Sequence, residues 1–200
     1  MKLFLCSHFS SVGSLIKEEI DNKKVAFIPT ASLREGYTGY VGSARKLFNK
    51  LGAAVTEIDI STEAYLTIQS VFEDADVIYF TGGNSFFLID QLRKTGTDEL
   101  LKKELAKGKL MIGESAGAII CAPSIQYIEQ MDEKPYCFCP SGLLSCFSPL
   151  ILAFSVPVVK CPKHLKEQQK DTAFLQGNTS AKQSHLSCDI LSESERNHRP

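Results

Sequence analysis

At 200 residues, 44% of them apolar and 22% charged, the chain is long enough to bury a sizeable core and reads as one globular domain. A net charge of −1 leaves no electrostatic footprint for a phosphate backbone or an anionic membrane, which argues against nucleic acid or a membrane as partner. No stretch approaches the roughly 20 apolar residues of a membrane span, and the apolar run in the opening MKLFLCSHFSSVG is too short for the core of a secretory signal, so the expected location is cytoplasmic.

In chain order, short apolar runs predict strands at 2–6 (KLFLC), 24–29 (KVAFIP), 54–60 (AVTEIDI), 77–80 (VIYF) and 109–113 (KLMIG). Charge rarely interrupts them, as expected of strands covered on both faces. Between them, apolar residues at helical spacing predict helices over 12–20, 40–51, 65–75 and 86–105; Val41, Ala44, Leu47, Phe48 and Leu51 form one such stripe. Gly52 is placed to close one helix and Gly96 to interrupt another. Strand and helix alternate in the manner of βαβ units, which predicts an α/β fold: a three-layer α/β/α sandwich around a mainly parallel sheet.

From about Pro135 the texture changes to an apolar stretch scattered with Pro, Ser and Cys, followed by a polar tail. Two of the seven cysteines, Cys6 and Cys121, lie early, while Cys137, Cys139, Cys146, Cys161 and Cys188 crowd the end. Residues 1–134 therefore read as the organised α/β domain, and 135–200 as a divergent segment of it or a disordered tail, leaving the sheet short at the edge the last third should build. The Cys137-x-Cys139 pair lacks the partner spacing of a zinc site, and no metal or organic cofactor is expected.

Chemistry concentrates where predicted strands run into glycine. Gly113-Glu114-Ser115-Ala116-Gly117 is a G-x-S-x-G directly after the strand LMI and before a helix-compatible Ala118-Ile119-Ile120, the context of a nucleophile elbow. Ser115 there would project from the sheet edge beside unpaired helix N–H groups able to stabilise developing negative charge. Tyr79-Phe80-Thr81-Gly82-Gly83-Asn84-Ser85 ends a second strand in a glycine pair that lets backbone approach a ligand closely. Phe27-Ile28-Pro29-Thr30-Ala31-Ser32 brings hydroxyl residues to the same edge, where sites gather in doubly wound sheets.

At these three segments, in order and spacing, the chain resembles peptidase family S51, the dipeptidase E or α-aspartyl dipeptidase family of the class I glutamine amidotransferase-like superfamily; the resemblance covers about residues 1–134. It implies hydrolysis of dipeptides with an N-terminal aspartate through an acyl-enzyme on Ser115, with an oxyanion hole from the N–H groups of Gly83 and Ala116. Gly82, Asn84 and Thr30 are then expected at the substrate, and Arg34 as the cation for the aspartate side chain. Asp132 resembles the family's downstream aspartate. A serine needs a base within hydrogen-bond reach, yet where the family places its histidine this chain has Leu152, Ala153 and Phe154. His164 is the nearest candidate, about ten residues late; His8 follows the first strand without marking itself as a base, and His185 and His198 lie in the polar tail. The loss of resemblance near residue 134 suggests a last third replaced by frameshift or splicing.

The expected activity is thus a serine exopeptidase acting on small peptides, as monomer or homodimer. The alternative is an inactive homologue that binds a small ligand or a protein through the retained pocket. Cyanophycin-type hydrolysis fits less well because no long insertion surrounds the site. An amidotransferase would carry cysteine where this chain has Ser115.

Overall fold

Among the described residues, five parallel strands form one sheet: β1 (Lys2–Cys6), β2 (Lys24–Ile28), β3 (Ala54–Glu57), β4 (Val77–Phe80) and β5 (Leu110–Glu114), in the spatial order β1-β5-β4-β2-β3. This computed structural model describes residues 1–133 and 142. The expectations about the rest of 135–200, His164 and the late cysteines among them, lie outside the described residues.

Alternation along the strands separates two cores, because successive side chains of a strand point to opposite faces. Ala26, Ile28, Ile78, Phe80 and Met111 face one way and pack with Ile68 and Phe72 of α4 (Tyr65–Asp74), Leu88 and Leu92 of α5 (Ser85–Lys94) and Leu101 of α6 (Thr97–Ala106). Val25, Phe27, Val77, Tyr79 and Ile112 face the other way, against Phe9 of α1 (Phe9–Val12), Ile20 of α2 (Lys17–Ile20) and Phe48 of α3 (Gly39–Lys50). The second core is built around an aromatic cluster, with ring centroids 4.5 Å apart for the stacked Phe9 and Phe48, 4.8 Å for the tilted Phe27 and Tyr79, and 5.0 Å for the edge-on Phe48 and Tyr79. Helices on both faces of a mostly parallel sheet make the expected α/β/α architecture.

Most predicted elements agree with the structure to within one residue; two depart further, and a third divides where expected. The predicted strand over 54–60 ends at Glu57, because the Asp59 carboxylate accepts from the Ser61 N–H and the Thr30 hydroxyl and turns the chain away. The predicted helix over 12–20 breaks into α1, a 3-10 turn over Gly13–Ile16, and α2; Gly13 lies so close to the Phe9 ring that a Cβ there would sit 2.6 Å from it. The helical stretch over 86–105 divides into α5 and α6 at Gly96, the expected interruption, whose φ of +71° lies outside the helical range.

Register places the site. Cys6 pairs with Glu114, Phe80 with Gly113, and Ile28 with Phe80, so the carboxyl ends of four strands stand side by side and their following loops converge on one edge. Phe72 is fully buried in the first core, whereas Leu66 on the same helix is 76% exposed. We expect Phe72→Ala to lower the unfolding free energy by about 3–5 kcal/mol. Leu66→Ala should change it by less than about 0.5 kcal/mol. Urea denaturation with unchanged m-values would check both.

Candidate active site

Between β5 and the short helix α7 (Ala116–Ile119), Ser115 adopts φ 48° and ψ −106°, a positive-φ conformation uncommon for a residue with a side chain. Its N–H donates to the Cys6 carbonyl at 2.8 Å, and its carbonyl accepts from the N–H groups of Ala118 and Ile119, both at 2.9 Å. Both motif glycines are required by close approach. A Cβ on Gly113 would lie 2.4 Å from the Gly117 carbonyl oxygen, and one on Gly117 would lie 2.6 Å from that of Phe80. The G-x-S-x-G pattern is thus a packing solution for a reversal pressed against β4.

The second glycine pair meets this elbow. A Cβ on Gly82 would stand 3.2 Å from that of Ser115. Gly83, at φ +132°, runs against Ala31, whose carbonyl oxygen would be 2.2 Å from any added Cβ. That carbonyl also accepts from the Asn84 N–H at 3.0 Å, so the loop after β2 carries the loop after β4. Ala116 is the first residue of α7, and its N–H belongs to the helix-start donors that lack an intrahelical acceptor.

Ser115, Gly82, Gly83, Tyr40, Glu114 and Asp132 line a cavity of about 320 Å³. A second cavity of about 610 Å³ is lined by Arg34, Asn84, Phe87, Asp90 and Lys94, and the two share Glu35, Met131 and Asp132. Asp132 therefore reaches the Ser115 cavity from a segment far along the chain. One of its oxygens accepts from the Ser85 N–H at 2.7 Å. Asn84 caps the same helix: its Oδ1 accepts from the Phe87 N–H at 2.7 Å and its Nδ2 donates to the Glu133 carbonyl at 3.0 Å.

Other sequence candidates take different places. Thr30 is fully buried, with its hydroxyl donating to Asp59 at 2.8 Å and accepting from the Ile60 N–H at 3.1 Å, so it holds the loop after β2 rather than facing a ligand. The Arg34 guanidinium lies 4.6 Å from the Phe87 ring centroid in the second cavity. His164 lies outside the described residues. His8 meets Glu114 through Nδ1 at 3.0 Å and Ser10 through Nε2 at 2.9 Å, so both ring nitrogens are engaged.

Sequence reasoning missed Glu114, the variable position of the motif. It is 1% exposed, and it accepts from the Phe9 N–H at 2.8 Å, from His8, and from the Tyr79 hydroxyl. A carboxylate ending an otherwise apolar strand was the available signal, since a buried charge must find partners. Tyr40 was missed as well. Burial, then the charges of Glu35 and Glu114, push its phenol up to about 12. Burial, then Glu114, likewise drive the Tyr79 phenol well above its ordinary value and the Cys6 thiol up to about 12. All three stay protonated at neutral pH.

The model of peptidase family S51 matches residues 5–186. The chain belongs to peptidase family S51. Its match to the family thus runs past residue 134. It is similar to an uncharacterized peptidase of Listeria monocytogenes, 48% identical over 133 residues, which cover 65% of this chain and 65% of that protein. It is also similar to peptidase E of Escherichia coli, 30% identical over 140 residues that cover 66% of this chain and 59% of the other. The fold superposes on a crystal structure of a candidate peptidase E protein from Listeria monocytogenes with a TM-score of 0.69 and 45% identity, covering 72% of this chain and 74% of that one. The aligned part spans 64 to 65% of the length of the Listeria relatives. Among the described residues of this S51 chain, no helix is long and apolar enough to cross a membrane.

If the elbow is packed as described, Gly117→Ala must displace the β4 backbone. We expect it to lower the unfolding free energy by about 1–3 kcal/mol. Chemical denaturation of the variant beside the parent chain checks this.

Proposed function

We propose that this S51 chain is a serine exopeptidase that hydrolyses dipeptides with an N-terminal aspartate through an acyl-enzyme on Ser115. The observation that carries this reading is Ser115 itself, held at positive φ at the mouth of the sheet with Gly82, Gly83 and Asp132 around one cavity. Its Oγ attacks the scissile carbonyl carbon as the hydroxyl proton passes to the base. The oxyanion so formed accepts from the N–H groups of Gly83 and Ala116, backbone donors of the kind that stabilise such charge. Collapse of the tetrahedral species breaks the C–N bond, the base returns the proton to the leaving amine, and water then cleaves the acyl ester by the same route. Asp132 orients the base, and His164 is the residue assigned to that role.

The adjoining cavity suits the rest of the substrate. Arg34 offers the cation for the aspartate side chain there, and the shared wall of Glu35, Met131 and Asp132 leads from it to Ser115. Gly82 and Asn84 flank the path, with Asn84 engaged as a helix cap and Gly82 leaving room beside the nucleophile. Thr30 acts one layer behind them.

A second reading is favoured by one observation: His8, the one histidine among the described residues, is engaged at both ring nitrogens. On that reading the chain is an inactive homologue that uses the cavity to bind a small ligand or a protein. Release of aspartate from Asp-Leu by the full chain separates the two. We expect turnover that falls by about 1000-fold or more in Ser115→Ala and in His164→Ala. Absence of turnover from a folded parent chain would favour the binding protein.

A further inference from the structure

We propose that Glu114 is the positioning residue of the nucleophile: its buried carboxylate ties the elbow to both neighbouring strands and so holds Ser115 in its strained conformation. The inference rests on the reading of Ser115 as nucleophile.

A carboxylate at 1% exposure is costly unless its lone pairs are filled. Glu114 accepts three hydrogen bonds, from both sides. Oε1 accepts from the Phe9 N–H at 2.8 Å and from His8 Nδ1 at 3.0 Å, both just beyond the end of β1. Oε2 accepts from the Tyr79 hydroxyl on β4. A carboxylate is acceptor only, which assigns the proton to His8 Nδ1; Nε2 then accepts from the Ser10 hydroxyl at 2.9 Å. Strand order β1-β5-β4 puts these anchors on the two opposite flanks of β5.

The same two flanks contact the elbow directly. Cys6, ending β1, takes the Ser115 N–H, and Phe80, ending β4, is the backbone against which Gly117 is packed. Relaxing Ser115 out of positive φ would rotate the peptide it shares with Glu114 and pull the carboxylate off its donors. A neutral side chain of this size cannot accept from all of them: glutamine has one acceptor oxygen, and its amide nitrogen would face a donor unless the Tyr79 hydroxyl turns to accept. The charge at this position is therefore tied to the nucleophile's geometry as well as to burial.

Phosphonylation of the full chain by a fluorophosphonate probe tests this without knowledge of the substrate. In that reaction the Ser115 Oγ–P bond forms, fluoride leaves and the hydroxyl proton passes to the base or to solvent. Saturation kinetics separate kinact, which reads nucleophile geometry, from KI, which reads the pocket, and thermal unfolding reads folding. In a folded Glu114→Gln protein we expect kinact to fall about tenfold or more with KI nearly unchanged. Tyr79→Phe, which keeps its ring in the aromatic core but removes one donor, should lower kinact several-fold. A folded Glu114→Gln with the parent kinact, or with its change carried wholly in KI, would overturn the inference; if that variant does not fold, an unchanged kinact in Tyr79→Phe overturns it. An unlabelled Ser115 in the parent chain would overturn the nucleophile reading and this inference with it.

Discussion

The backbone of Ser115 runs through a region that costs a non-glycine residue about 1–3 kcal/mol, and the structure around β5 is arranged so that this cost is met by the packing. The N–H and carbonyl of Ser115 are both hydrogen-bonded, and its motif glycines admit backbone contacts that no side chain would allow. Each of these contacts comes from β1, β4 or α7. The elbow therefore exists only as part of the assembled sheet, and the local peptide 113–117 has no reason to hold the shape alone.

The aromatic core reaches the site through Tyr79. Its ring packs at tilted and edge-on angles among Phe9, Phe27 and Phe48, while its hydroxyl donates to Glu114 at the edge of the cavity. Burial raises the phenol and keeps it a donor, so a residue that looks purely apolar in the strand pattern also satisfies a charge. Core packing and site geometry are one problem here, because an aromatic ring cannot move without moving its hydroxyl.

Around the elbow, loops from distant parts of the chain support one another in a fixed order. Asp59 holds Thr30, the Ala31 carbonyl holds the Asn84 N–H, and Asp132 and Asn84 both cap α5. The result is two adjoining cavities with a common acidic wall of Glu35 and Asp132, and a cationic residue, Arg34, in the farther one. On the proposed function, the Ser115 cavity would take the reacting end of the substrate and the Arg34 cavity its recognition end.

The sequence by itself determined the α/β class, five strand positions and the elbow, because apolar periodicity and glycine placement are local properties that survive in one dimension. The placement of Ser115, Gly82 and Gly83 was legible for the same reason: it follows from residue type and from standing at a strand end. Tertiary structure alone decided which partners Glu114, Tyr79, Thr30 and Asp132 meet. Glu114 reads as an arbitrary motif letter until β1 and β4 are set on either side of it. Thr30 reads as a ligand contact until Asp59 takes its hydroxyl. The partners of a buried polar group lie tens of residues away, and only strand order and register bring them within hydrogen-bond reach.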